Sequence, residues 1–100
     1  MDFELSWTEP AADELEAIGD YIGQHSPAAA ERTITAILNR VELLKTVPLM
    51  GRVYSKDPSG RTREVICGNY RIFYRVLEDA GRVEILTVWH SARDEPQLPD

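Results

Sequence analysis

The stretch RTREVICGNYRIFYRVLEDAGRVEILTVWH, residues 61–90, decides the fold of this 100-residue chain. Within it lie three segments rich in β-branched and aromatic residues, which predict strands: Arg61–Cys67, Tyr70–Leu77 and Val83–Trp89. They are separated only by Gly68-Asn69 and by Glu78–Gly81. Because short turns join neighbouring antiparallel strands, the stretch predicts a three-stranded antiparallel meander.

Side chains of two kinds alternate along the central segment. One face carries an apolar set, Tyr70, Ile72, Tyr74 and Val76. The other face mixes charged and apolar residues, Arg71, Phe73, Arg75 and Leu77. Successive side chains of a strand point to opposite faces, so we expect the apolar set to pack in the core and the mixed set to be exposed. We expect a partner or substrate to bind this exposed face.

The sequence before the meander predicts one strand and two helices. Phe3–Trp7 alternates apolar and polar residues, as a half-buried strand does. Thr8 and Ser26 are suited to cap helices, the first over about residues 9–23 and the second from Pro27 to Val47, where Pro48 ends it. We expect these helices to form an antiparallel hairpin. Residues 48–60 are expected to form a loop.

The predicted fold class is therefore α+β. An N-terminal strand, a two-helix hairpin and a three-stranded antiparallel meander form one small, largely antiparallel sheet, and the helices cover one of its faces. Residues 1–100 are expected to form a single domain, because this length supports one modest core. The tail, polar and interrupted by proline, is expected to fray from about residue 95.

Composition excludes several classes of protein. The sequence has no apolar run long enough for a transmembrane helix, and its first residues do not resemble a signal peptide. Cys67 is the only cysteine and there are two histidines, so we expect neither a disulfide, nor a metal site, nor a cofactor. These features are typical of a cytoplasmic protein.

Charge is distributed unevenly along the chain. The net charge is −6, yet residues 51–76 carry six cations and two acids, a net charge of +4. An acidic protein is repelled by nucleic acid at long range. Direct binding to nucleic acid is therefore the less favoured interpretation. The basic stretch can still bind an anionic partner locally.

Four motifs, in order, carry a resemblance to a known family. They are D-Y-I followed by S-P at residues 20–27, P-x-x-G-R at 48–52, G-x-Y-R-I-x-Y-R at 68–75 and V-x-H-x-x-R at 88–93. Together, over roughly residues 3–94, they resemble the RelE/ParE superfamily of toxins from bacterial type II toxin–antitoxin modules. The resemblance implies the fold described above, a growth-arresting activity and a cognate antitoxin that neutralises it.

The superfamily contains two kinds of toxin. RelE-like toxins are ribosome-dependent mRNA endoribonucleases, and the resemblance gives Arg71 and His90 as the catalytic candidates. The chain departs from that branch, because Thr62 and Glu64 stand where further cations are expected and no tyrosine follows Tyr74. The chain is closer to the ParE-like branch, whose members inhibit DNA gyrase by binding. The alternatives are a RelE-type ribonuclease and an inactive member that only binds an antitoxin.

The candidate partner-binding residues are one aromatic and four cations: Arg63, Arg71, Phe73, Arg75 and Arg93. For most of these residues, the sequence suggests a structural role as an alternative to partner binding. Arg71 and Arg75 are placed to form cross-strand pairs with Glu64 or Glu84. We expect Arg63 and Glu64 to form a structural or antitoxin-facing pair, and Arg93 to pair with an acid and hold the C-terminal segment. His90 is expected to have a structural role unless it has catalytic partners.

Overall fold

The computed structural model describes residues 2–93, Pro96 and Leu98. In chain order its elements are β1 (Glu4–Trp7), α1 (Glu9–Gly23), α2 (Pro27–Glu42), β2 (Arg52–Val53), β3 (Thr62–Cys67), β4 (Tyr70–Leu77) and β5 (Arg82–His90). The five strands form one sheet in the order β1-β5-β4-β3-β2. The α+β class and the β3-β4-β5 meander are confirmed.

Three details differ from the prediction. β1 pairs with β5 in the parallel sense, so the sheet is mixed. This direction arises because the helical hairpin returns the chain towards the start of β1 before the meander begins. The predicted loop contains β2, a strand of two residues that is too short to show a period in sequence. The second helix ends at Glu42 and continues as a 3-10 turn, Leu43–Lys45, instead of reaching Val47.

Both helices begin at the predicted caps. The Oγ1 of Thr8 accepts a hydrogen bond from the backbone N–H of Ala11, and the Oγ of Ser26 accepts one from Ala29. Thr8 also donates its hydroxyl to the carbonyl of Ile85, which fixes the start of α1 against β5. Neither helix is long and apolar enough to cross a membrane.

The sheet has an apolar cluster on each face. On the helix-side face, which α1 and α2 cover, the buried residues are Ala11, Ile37, Val41, Leu44, Val65, Ile72, Tyr74, Val83, Ile85 and Val88. On the opposite or outer face, a smaller cluster contains Tyr54, Phe73 and Leu86, with Trp89 and Leu98 packed against it. The predicted alternation of β4 is therefore correct.

The expectation that the outer face is exposed is wrong. Phe73 is 0% exposed and Arg75 only 8%. Tyr54, which follows β2, meets the Phe73 ring edge-on at a centroid distance of 4.9 Å, and Leu98 packs on the same cluster. Chain segments outside the meander thus cover this face.

The predicted fraying from about residue 95 falls mostly outside the described residues. Of the two that are described there, Pro96 is buried and Leu98 is partly buried. Both therefore lie against the body of the protein.

Candidate functional site

A buried carboxylate lies at the centre of the outer face. Glu64, on β3, is 3% exposed. Its Oε1 accepts a hydrogen bond from the Nε of Arg52 at 2.8 Å, and its Oε2 lies 2.9 Å from a terminal nitrogen of Arg71. Arg52 is on β2 and Arg71 on β4, so one carboxylate joins three strands.

The surroundings of Arg71 fix its guanidinium. That group lies 4.8 Å from the centroid of the Phe73 ring and 5.8 Å from that of Tyr54, distances at which a cation interacts favourably with an aromatic face. Beside it is a shallow pocket of about 340 Å³, also lined by Arg52 and Lys56. Of the two acids suggested as structural partners of Arg71, Glu64 and Glu84, the structure pairs it with Glu64. Its cation is therefore partly neutralised before any ligand arrives.

His90, the other catalytic candidate, lies on the helix-side face. It is paired with Tyr70 in the register of β4 and β5, and the two rings meet edge-on at 5.3 Å. Its Nδ1 accepts a hydrogen bond from the backbone N–H of Ala92 at 3.1 Å, which closes the turn after β5. Arg71 and His90 therefore lie on opposite faces of the sheet.

A one-residue irregularity in β5 causes this separation. Tyr74 is paired with Ile85, but Phe73 is paired with Thr87, so Leu86 is an extra residue. Since side chains alternate between faces, one extra residue reverses the face of everything beyond it. Without the bulge, His90 would point to the same face as Arg71.

His90 lines a groove of about 470 Å³ beside α1, together with Glu14, Tyr21, Tyr70, Arg93 and four apolar side chains. The Oε1 of Glu14 accepts a hydrogen bond from the Thr87 hydroxyl at 2.5 Å and one from the backbone N–H of Val88 at 3.4 Å. Burial, and secondarily Tyr21, raises the pKa of Tyr70. In this groove Glu14 and His90 both accept hydrogen bonds from nearby backbone groups.

The motif P-x-x-G-R has a structural role that sequence reasoning missed. The Tyr74 hydroxyl donates to the carbonyl of Pro48 at 2.8 Å and accepts from the N–H of Gly51 at 2.9 Å. A Cβ at residue 51 would lie 2.6 Å from that hydroxyl and 2.7 Å from the Glu64 carbonyl, so only glycine fits. The signal that could have revealed this was a tyrosine at a core position, because a buried hydroxyl needs a partner.

Arg63 supports the same loop and does not pair with Glu64. Its guanidinium donates to the carbonyl of Gly51 at 2.7 Å and of Leu49 at 3.4 Å. Arg63 and Glu64 are neighbours on one strand and point to opposite faces, so the expected pair between them is wrong.

The two other predicted arginines have separate environments. Arg75 donates from Nε to the Thr62 hydroxyl at 3.4 Å, and that hydroxyl donates to Asp57. Arg93 lies over the Trp89 ring, 3.9 Å from its centroid. Hydrogen bonds from Thr62 and Ser59 lower the pKa of Asp57 to about 2. Among residues 2–93, Pro96 and Leu98, no group of three or more His, Cys, Asp or Glu side chains could hold a metal ion.

Comparison with known proteins identifies the family. Residues 5–95 match the family model described as the ParE toxin of the type II toxin–antitoxin system parDE. The chain belongs to the ParE toxin family. It is thus a type II toxin of the RelE/ParE superfamily, and the resemblance found in the sequence is confirmed.

Two bacterial relatives, both described as toxins or putative toxins, resemble this ParE-family chain over most of its length. The Sinorhizobium fredii protein Y4kP is 37% identical over 99 residues, which cover 94% of each chain. Toxin RelE2 of Caulobacter vibrioides is 36% identical over 91 residues, 90% of this chain and 97% of that one.

Solved structures share the fold. A chain of the chromosomal ParDE toxin–antitoxin system of P. aeruginosa has a TM-score of 0.73 and 26% identity, covering 88% of this chain and 95% of that one. An E. coli RelE mutant in the free state has a TM-score of 0.68 and 15% identity, covering 92% and 86%, a likeness of fold alone.

Proposed function

We propose that this ParE-family toxin inhibits DNA gyrase by binding it and catalyses no reaction itself. The observation that carries the proposal is the separation of Arg71 from His90, with Glu64 held against Arg71. The match of residues 5–95 to the ParE toxin model supports the same branch.

The chemistry of RNA cleavage explains why this separation matters. Attack of a 2′-hydroxyl on the adjacent phosphate requires a base, an acid and a cation placed around one phosphorus atom. Here the two catalytic candidates, His90 and Arg71, lie on opposite faces, and the Arg71 guanidinium donates a hydrogen bond to the Glu64 carboxylate. The cation that does line the His90 groove, Arg93, lies over the Trp89 ring. The chain's net charge of −6 also opposes binding to the ribosome's RNA.

A cognate antitoxin is the second partner that we propose, with both proteins in the cytoplasm. Similar solved structures include the ParDE system of P. aeruginosa and the RelBE2 toxin–antitoxin complex of Mycobacterium tuberculosis. Arg63, Arg71 and Arg93 are the proposed contact residues on the toxin. Phe73 and Arg75 are buried and offer a partner little surface.

A supercoiling assay tests the proposed function. Purified protein is added to gyrase, ATP and relaxed plasmid, and we expect supercoiling to stop at micromolar toxin while cleaved plasmid accumulates. Absence of both effects, with folding verified by circular dichroism, would count against gyrase as the target. Normal growth of cells that express the chain alone would instead support a member that only binds its antitoxin.

The RelE-type alternative needs a matched variant. His90→Asn removes the proton-transfer capacity of the imidazole but keeps an acceptor for the backbone N–H of Ala92. We expect this variant to inhibit gyrase and arrest growth as the native chain does. If the native chain cuts mRNA on translating ribosomes and His90→Asn does not, the ribonuclease function is correct.

A further inference from the structure

The turn after β5, residues 90–93, is closed by an imidazole side chain. The Nδ1 of His90 accepts a hydrogen bond from the backbone N–H of Ala92 at 3.1 Å. A ring nitrogen accepts a hydrogen bond only when it carries no proton, so in this turn the imidazole is neutral and its proton is on Nε2. Histidine is the side chain whose charge ordinarily changes between about pH 5 and about pH 8. The bond that closes this turn is therefore one that a proton can break.

Two backbone hydrogen bonds also shape the turn. The carbonyl of His90 accepts from the N–H of Arg93 at 3.0 Å, and Ser91 donates its N–H to the carbonyl of Asn69 at 2.7 Å. The second bond ties the turn to the connection between β3 and β4 and does not involve the imidazole. Loss of the side-chain bond is therefore expected to loosen Ala92 and Arg93 while Ser91 stays in place.

The groove beside α1 contains a second partner for this imidazole once it is protonated. Glu14 lines the groove together with His90, and its Oε1 accepts a hydrogen bond from the backbone N–H of Val88. Val88 and His90 are two residues apart on β5, so their side chains point to the same face of the sheet. The carboxylate is thus held on the face that the imidazole occupies. A carboxylate close to an imidazole favours the protonated ring.

The other titratable groups that line the groove are two phenols and one guanidinium. Tyrosine phenols are uncharged near neutral pH, and burial raises the pKa of Tyr70, which meets the imidazole edge-on at 5.3 Å; Tyr21 is the second phenol. Arg93 also lines the groove, while its guanidinium lies over the Trp89 ring, 3.9 Å from the centroid. Its positive charge disfavours an imidazolium as long as the turn is closed, and opening of the turn relieves this repulsion. Protonation and opening therefore favour each other.

We propose that His90 is a pH-sensitive latch on the turn after β5. The neutral ring closes the turn through the N–H of Ala92, and the protonated ring releases that N–H and pairs with the Glu14 carboxylate. Because the turn carries Arg93, proton uptake also frees this proposed contact residue from its place over Trp89. That last effect rests on the proposed antitoxin partner, whereas the latch itself is a property of the toxin chain alone.

Nuclear magnetic resonance of the native toxin at about pH 8 and about pH 5 tests the latch. At the higher pH we expect the His90 ring to carry its proton on Nε2 and the Ala92 amide proton to show the weak temperature dependence of a hydrogen-bonded amide. At the lower pH we expect that amide to lose this signature. The amide of Gly51, which donates to the Tyr74 hydroxyl, should keep its signature at both pH values and so report that the fold is intact.

Matched variants distinguish the latch from a general effect of acid. His90→Asn keeps an acceptor but has no group that titrates, so we expect its Ala92 amide to stay hydrogen-bonded at both pH values. His25→Asn removes the other histidine of the chain and should behave as the native toxin does. Glu14→Gln keeps an acceptor for Val88 but removes the charge, so the change at Ala92 should need a lower pH.

Three outcomes would each overturn the latch: a ring proton on Nδ1 at the higher pH, an Ala92 amide that does not respond to pH, or the same response in His90→Asn. A response at the native pH in Glu14→Gln would overturn the exchange of partners. Every measurement uses the toxin alone, so a failure of the latch leaves gyrase and the antitoxin standing as proposed partners.

Discussion

At the scale of single residues, the Tyr74 hydroxyl has the clearest energetic role. Removing it in Tyr74→Phe leaves the buried N–H of Gly51 and the partly buried carbonyl of Pro48 without their partner. An unsatisfied buried polar group costs about 1–3 kcal/mol, so we expect a loss of about 2 kcal/mol in the free energy of unfolding. Urea unfolding followed by fluorescence measures it. Tyr21→Phe, at an exposed tyrosine, serves as control and should change stability by less than about 0.5 kcal/mol.

A second single-residue prediction concerns Asp57 and pH. Hydrogen bonds from Thr62 and Ser59 lower its pKa from the ordinary 3.8 to about 2 in the folded protein. A depressed carboxyl pKa stabilises the fold above the unfolded-state pKa, and this contribution is lost as the pH falls from about 4 through about 2. A carbon-13 NMR titration of the Asp57 carboxyl should give a midpoint near 2. A midpoint near 3.8 would show that the turn does not hold the carboxylate.

At the scale of elements, the two helix caps have different roles despite their similar sequences. Ser26 accepts one backbone hydrogen bond, whereas Thr8 caps α1 and also donates to the carbonyl of Ile85 on β5. Loss of a cap costs about 1 kcal/mol, so Ser26→Ala should destabilise by about that amount and Thr8→Ala by about 2 kcal/mol. Thermal unfolding of both variants under identical conditions compares them. Equal losses would mean that the contact of Thr8 with β5 contributes nothing.

Local signals explain which elements the sequence could predict. The caps at Thr8 and Ser26 and the alternation in β4 depend on neighbouring residues, and all were found correctly. The parallel pairing of β1 with β5 joins Leu5 to Val83, which depends on contacts far apart in sequence. β2 owes its pairing to the loop that Tyr74 holds, so its two residues carry no pattern of their own.

In the candidate site, too, the sequence predicted only those features that depend on local signals. The contact of Arg71 with Glu64 was one of the alternative cross-strand pairs that the sequence suggested. The position of His90 depends on the extra residue Leu86, because the bulge decides which face every later side chain of β5 occupies. A run such as VEILTVWH contains no turn residue or glycine to mark a bulge, so periodicity alone could not separate His90 from Arg71.

At the scale of the whole molecule, the sheet is stabilised by a core on each face. Phe73 is fully buried in the outer cluster, between Tyr54 and Leu86, in a protein whose sequence suggests an open outer face. Truncating a buried phenylalanine costs about 3–5 kcal/mol, so Phe73→Ala should lower the free energy of unfolding by at least about 3 kcal/mol. Urea unfolding measures this loss.

The control for this prediction lies on the same face. The side chain of Ile66 also lies on the outer face, but unlike that of Phe73 it is exposed. Ile66→Ala should therefore lower the free energy of unfolding by less than about 1 kcal/mol. A small effect of Phe73→Ala, comparable with that of Ile66→Ala, would mean that the cluster opens in solution and that Phe73 is available to a partner after all. A large effect with a single transition would instead mean that the two cores unfold together, because β4 contributes side chains to both. Partner binding would then be confined to the rim of the outer face and to the surfaces beyond it.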